Sequence, residues 1–419
     1  MLTAAALSLA ALSIAQPGSE QAPQPSPAEL RAAESRFLTN PVQLTFAEDF
    51  VKAGESYFSH DGELIVFQGV PVPDEGDEPS PHYGMYVAQA IHQRTLDRVS
   101  LVSEPGSANT CGWFHPAELP RGSYDLLFGS TLVPPSADKV PGYQRGTGRY
   151  SWSFPTEMEV VSVRVGKISW TGWMDNTETS ERERTGGSHY EASKKEVVFE
   201  KPGYTAECSY SPDGRHILYA NVDEAKSNEQ GRPDADLWIF DTETQQHTLI
   251  VEADGYDGGP FFSPDGTWIC YRSDRQGNNL LQLFVAELEF DESGAITGIK
   301  REVQLTNNRH VNWAPFFHPS GDFLVYASSE VSHRNYEVFA IGLDTNNPGP
   351  STPIRVTHAN GFDGLPVFNP DGSEMMWTAQ RGDDTQWGGR ASSQLWIADF
   401  DADAVREALA EANPTDERE

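Results

Sequence analysis

Oxygen-bearing side chains recur at matching places along this 419-residue sequence. When its internal copies are aligned, Thr205, Asp257, Asn312 and Asp363 fall in one column, and Glu55 and Glu207 share a second column two positions further in. Carboxylates and carbonyls converging on one axis form the donor set of a hard cation, so a Ca²⁺ site is one reading of these residues. The other reading gives each Asp a local task, capping the turn implied by its Gly-Tyr-Asp-Gly context. His310, His333 and His358 fall near the same end of the repeats but are not clustered, so the metal question stays open and no cofactor is expected. Tyr143, Tyr150, Trp152, Trp173 and Trp387 sit in loop-like stretches, where an aromatic ring stacks on a sugar or grips a peptide. Trp387, within Gln386-Trp387-Gly388-Gly389-Arg390, is the leading candidate among them.

Several chemistries lack their residues. No G-x-S-x-G nucleophile elbow occurs, and no α/β-hydrolase pattern follows the repeats. Nothing matches the G-x-x-x-x-G-K-S/T phosphate loop. Cys111, Cys208 and Cys270 have no C-x-x-C spacing and each lies in or beside an apolar run, so they read as small buried hydrophobes. The net charge of −32, from 62 acids against 30 bases, repels phosphate backbones and anionic lipid, which excludes nucleic acid as an expected partner.

The elements that position these residues are announced by a repeat. Phe261-Phe262-Ser263-Pro264-Asp265-Gly266 and Val367-Phe368-Asn369-Pro370-Asp371-Gly372 are its clearest copies. Two more run from Ser209 to Gly214 and from Phe316 to Gly321, and two degenerate ones lie at Tyr57–Gly62 and Trp113–Pro116. Pro fixes φ at the second turn position, Asp or Ser caps the turn, and Gly takes the positive φ, so each copy is a β-hairpin between apolar strands. A third strand follows, as in Asp236–Asp241 and Gln394–Asp399, and then a fourth, as in Val303-Gln304-Leu305-Thr306. Four antiparallel strands at a spacing of about 50 residues make a propeller blade. The expected fold is therefore all-β, a six-bladed β-propeller of four-stranded antiparallel blades.

The sixth copy has no fourth strand of its own, because the chain after Asp399 reads as a helix from Ala402 to Ala412. Val42-Gln43-Leu44-Thr45 matches Val303-Gln304-Leu305-Thr306 and precedes the first hairpin, so this N-terminal strand is expected to close the ring. Closure removes exposed sheet edges.

The Ser-Pro-Asp-Gly hairpins, with Gly255-Tyr256-Asp257 and Gly361-Phe362-Asp363 ahead of two of them, resemble the repeats of TolB and the wider set of exported TolB-like propellers over residues 42 to 400. Oligogalacturonate lyases share this repeat style, and the resemblance implies for them a metal held by channel-mouth histidines; here no clustered His and Gln motif matches. From TolB itself the sequence differs by a long insertion in blade two and by the lack of room for an α/β domain before blade one.

The expected organisation is a signal peptide over 1–15, a disordered tether over 16–40, the propeller over 41–400 with insertions at 129–153 and 164–195, and a helical or disordered acidic tail over 401–419. Lys167 to Lys195, with its mixed charges, reads as a surface excursion. The long loops all fall at one end of the ring, which makes that face the expected site. The expectation is a periplasmic or secreted monomer without a membrane span, a non-catalytic module that binds a protein, peptide or glycan through Asp257, Asn312, Asp363, Glu207, Glu55, Trp387 and His310. The alternative is a metal-dependent lyase or hydrolase at the channel mouth.

Overall fold

The computed structural model describes residues 26–90, 94–119, 122–136, 142–144, 149–151, 154–175, 182–381, 385–386 and 390–414. Six antiparallel sheets succeed one another along the chain and close into a six-bladed β-propeller. The Ser-Pro-Asp-Gly turns form as their residue types dictate. Ser211 Oγ donates to Asp213 Oδ1 at 2.5 Å and accepts from the His216 amide at 2.9 Å, while Gly214 takes a φ of 78°. Each second strand lies between two neighbouring blades and is buried on both faces. All seven residues of His216–Val222 are buried, as are seven of the eight in Leu64–Pro71.

The ring closes as the sequence implies. Strand Leu38–Gln43 pairs antiparallel with Gln394–Phe400 of blade six, with Leu38 opposite Phe400 and Gln43 opposite Trp396. The pairing continues through Leu44 N–H to Leu395 O at 2.8 Å and Leu395 N–H to Thr45 Oγ1 at 2.9 Å. The closing strand thus starts earlier than Val42.

Three segments differ from expectation. Part of the 16–40 tether is a helix, α1 (Pro27–Glu34), because Ser26 and Glu29 form a reciprocal capping box with Pro27 in the first turn. The excursion from Lys167 to Lys195 is mostly paired backbone. Strand Glu159–Asp175 pairs with the second strand of blade two as far as Gly166, then continues past it with Arg182–Ala192 alongside. Within the 129–153 insertion, Gly142–Gln144 and Arg149–Ser151 pair as a small hairpin.

A second short helix, α2 (Glu224–Gln230), sits in the loop between the second and third strands of blade three. Helix α3 (Ala402–Ala412) is more than a tail. The outermost strand of blade five is only Ile354–Arg355, and α3 lies against that blade, burying Val405, Ala408 and Leu409 in its core. An otherwise open sheet edge is covered in this way. Among the described residues no helix is long and apolar enough to cross a membrane.

Candidate functional site

Every innermost strand carries the same defect. Its register slips after the second residue in blades two to six and at the matching place, between Gly54 and Ser56, in the longer strand Phe50–Phe58 of blade one. The bulged residues are Glu55, Cys111, Glu207, Gly259, Ala314 and Leu365, with φ between 44° and 57°. A bulge re-aims its side chain and bends the strand. The left-handed conformation costs a non-glycine residue about 1–2 kcal/mol, and its recurrence in all six blades marks it as part of the architecture.

These positions converge on the channel axis. Cys111 Sγ donates to Glu55 Oε1 at 2.8 Å, Tyr57 OH reaches the same oxygen at 3.3 Å, and Gln68 Nε2 donates to Oε2. Glu207 accepts from Tyr256 OH at 2.6 and 2.7 Å, from the Gly259 amide at 2.5 Å and from Arg272 Nη2 at 3.1 Å. Blade four contributes to the ring by another route. A Cβ at residue 259 would collide with Arg272 Nη1, so glycine leaves the axial place to a guanidinium that comes from the next strand. Tyr256 in turn folds over Gly258, where a Cβ would meet its hydroxyl. Around the axis the order is Glu, Cys, Glu, Arg, Ala and Leu, polar over blades one to four and apolar over five and six.

Burial sets the protonation of this cluster. It raises the Glu55 carboxyl above the usual range despite the hydrogen bond from Cys111 and the charge of Arg272. Burial, reinforced by Glu55 and Glu207, holds the Cys111 thiol far above its ordinary value, so it stays protonated and is a poor nucleophile. For Arg272 burial opposes the charge, but Tyr256, Glu207, Cys111 and Glu55 more than offset it.

One layer deeper the channel is shut. Tyr57 of blade one meets Phe261 of blade four with centroids 5.5 Å apart, and Trp113 of blade two meets Phe316 of blade five at 6.1 Å. These blades are diametrically opposed, so rings in contact across the axis form a plug that closes the channel at this layer. The upper wall is aromatic on one side, where Phe362 lies 6.1 Å from Trp313 and 5.8 Å from Tyr336.

Of the residues singled out from sequence, Glu55 and Glu207 reach the axis, whereas Asp257, Asn312, Asp363 and Thr205 do not. Two residues apart on a regular strand they would share a face, but the intervening bulge breaks the alternation. Asp257 pairs with Arg275 at 3.2 Å, and Arg275 also holds Glu302 at 2.7 Å. Burial pushes the Asp257 carboxyl up to about 7, with Arg275 moderating the rise and Asp236 of the preceding blade adding to it. Asp363 accepts from Arg381 through both oxygens, and Arg381 also binds Glu34 of α1 at 2.7 and 2.8 Å. Asn312 is spent on Gln282, Asn308 and Ser328, and Thr205 on Asn221. The side-chain partners of these residues are local ones: each group has one within its own blade, and Arg381 is held by α1 as well. Among the described residues no three His, Cys, Asp or Glu side chains are placed to share a metal ion.

His310 works through its backbone, its amide donating to Asn308 and its carbonyl accepting from Gln282. Trp387 and Trp152 lie outside the described residues, as do the side chains of Tyr143, Tyr150 and Trp173. A separate cleft of about 820 Å³, lined by His318, Asp371 and Arg406, opens on the opposite, hairpin-turn face. Sequence reasoning missed Cys111, Gly259 and Arg272. The first two lie in the column of Glu55 and Glu207, while Arg272 belongs to another strand and shares no column with them.

No family model matches the chain. An uncharacterized protein of Agrobacterium fabrum is 24% identical over 172 residues, 40% of this chain and 52% of that protein. The Tol-Pal system protein TolB of Wolinella succinogenes is 26% identical over 186 residues, 44% of this chain and 39% of the relative. The matches thus span about half or less of these curated relatives. Among solved structures, TolB from Acinetobacter baumannii covers 84% of this chain and 65% of its own at 14% identity and a TM-score of 0.43. A Trypanosoma rangeli sialidase in complex with sialic acid covers 88% of this chain and 60% of its own at 8% identity and a TM-score of 0.50. The likeness to the sialidase is one of fold.

Proposed function

We propose that this chain is an exported, non-catalytic binding module of the TolB-like kind, which takes a protein, peptide or glycan on its loop-rich face with the closed channel at the centre. The observation that carries the reading is the axial cluster itself. It holds buried polar groups bonded to one another, with a thiol that burial keeps protonated, above a plug of aromatic rings. Such a surface recognises a ligand without transforming it.

Two further features support it. Phe46, Val72, Val133 and Val331 are exposed apolar side chains, and by their places in the chain all four lie on the loop-rich face. The apolar Met1 to Ala15 segment fits a signal peptide, which would deliver the chain to the periplasm or beyond as a monomer.

The test is direct. The purified protein is screened on glycan and peptide arrays, and each hit is titrated against wild type and Trp313→Ala by calorimetry. A specific ligand weakened at least tenfold in the variant supports the reading. A stoichiometric metal in the purified protein, lost together with a lyase or hydrolase activity in Asp257→Ala or His310→Ala, overturns it.

A further inference from the structure

We infer that the mouth of the axial channel captures the C-terminal carboxylate of a partner peptide, with Arg272 as the group that receives it. This rests on the reading of the loop-rich face as a binding face and names what that face takes.

The first argument is shape. Rings from opposed blades touch across the axis, so no chain threads through, and a chain end can approach Arg272 only from the loop-rich side. The second is the state of Arg272, which is 7% exposed. Its hydrogen bonds among the described residues are all made by Nη2, to Glu207 and Tyr256. Nε is buried without an acceptor, and Nη1 occupies the axial position beside Gly259. A buried guanidinium with donors to spare is costly until an acceptor arrives, and a carboxylate matches it in charge and in planar geometry.

Charge decides which chain end fits. Glu55, the acid an incoming amine would need, already accepts from Cys111, Tyr57 and Gln68. At the rim of blade one, Lys52 Nζ lies 4.1 Å from the Tyr83 ring centroid and has no carboxylate partner among the described residues. In a chain of net charge −32, the donors Arg272 keeps beyond Glu207 and a lysine without a carboxylate partner are the features of this mouth that an anion would complement. The apolar half of the mouth, with Leu365, Trp313 and Phe362, then suits an apolar last residue.

The test is an array of decapeptides randomised over the last three residues, each made as the free acid and as the C-terminal amide, and probed with the full chain. Free acids ending in an apolar residue should be captured, with amides at least tenfold weaker by calorimetry. Because Arg272 variants risk misfolding, the acid-against-amide comparison is made on wild type. The paired variant Glu207→Gln with Arg272→Met, checked for a cooperative thermal transition, should then lose the preference. Equal binding of acid and amide that is still weakened by Trp313→Ala would sink the carboxylate inference and leave the binding face standing. Dependence on a free N-terminus would sink it too, as would capture of glycans and no peptide. Failure of every glycan and peptide to bind would remove both.

Discussion

The channel axis and the strand-to-strand seams within blades four and six use the same pair of chemical groups, carboxylate and guanidinium, in different proportions. In the seams each arginine is shared by two acids, Arg275 by Asp257 and Glu302, and Arg381 by Asp363 and Glu34. At the axis Arg272 contacts one acid, Glu207, and keeps donors in hand. The seam bonds from Arg275 to Asp257 and from Arg381 to Asp363 each join residues 18 apart in one blade, whereas the axial bonds from Glu207 reach 49 to 65 residues into the next. A saturated arginine is cement, and an under-saturated one is a receptor. This difference separates scaffold from site more sharply than burial does, since both sets are buried.

Removing the seam cation should have the largest effect. Arg381→Met leaves Asp363, 2% exposed, and Glu34, 9% exposed, without their counter-ion. The expected loss is about 3–5 kcal/mol in urea unfolding, the range for breaking a buried pair from one side. It also loosens α1, because Glu34 of that helix loses both bonds from Arg381 and keeps the one from the His358 amide at 2.8 Å. A loss below about 1 kcal/mol would mean that this triad is not what ties α1 to blade six.

The second test uses pH. The Asp257 carboxyl sits at about 7 in the fold, above the ordinary aspartate value it regains on unfolding. A raised folded value means the native state binds the proton more tightly, so its contribution is complete below the unfolded value and is lost as pH rises toward 7. Stability should therefore fall by roughly 2–4 kcal/mol between pH 4 and pH 8, and Asp257→Asn should flatten that slope. Glu55 and Glu337, both raised chiefly by burial, act in the same direction. A slope unchanged in the Asn variant would place the titration elsewhere.

How far the sequence could be read follows from how local each interaction is. The hairpins were legible because Ser, Pro, Asp and Gly act within six residues, and the closing strand because Val42-Gln43-Leu44-Thr45 repeats Val303-Gln304-Leu305-Thr306. Helix α1 left a signal, Ser26-Pro27 with Glu29 three residues after the cap, inside a stretch whose Pro, Gln and Ser content spoke for disorder. The paired strands beyond Gly166 were hidden by their charges, since pairing is a matter of backbone and not of side-chain polarity. The site was half legible. The column of Glu55 and Glu207 pointed at the axis, but the bulge that separates it from Asp257 and Asp363 cannot be seen in residue types, and Arg272 enters from another strand.

At the axis the third test sets stability against binding. Arg272→Met should cost about 1–3 kcal/mol, less than the seam change, because Tyr256 and the Gly259 amide still bond Glu207. Its effect on ligand capture should nevertheless be the larger of the two variants. Gly259→Ala should behave likewise, since the added methyl expels the guanidinium from the axial position. If Arg381→Met weakened binding as much as Arg272→Met, the division of labour between seam and axis would fail.

The smallest expected effect tests whether the six bulges are one architectural device. Ala314 holds a φ of 52° and is 6% exposed, with only a methyl group to lose. Relief of the left-handed conformation is worth about 1–2 kcal/mol, and the extra freedom that glycine brings to the unfolded chain takes back about 0.4–1. Ala314→Gly should therefore stabilise the protein by roughly 0.5 kcal/mol, the opposite sign to Gly259→Ala in the equivalent position of the preceding blade. Two positions with one backbone geometry would then respond in opposite directions, because only one of them is shared with a guanidinium. Destabilisation by both changes would instead show that the axial layer is packed tightly all round, with no room above Ala314 for the apolar end of a ligand.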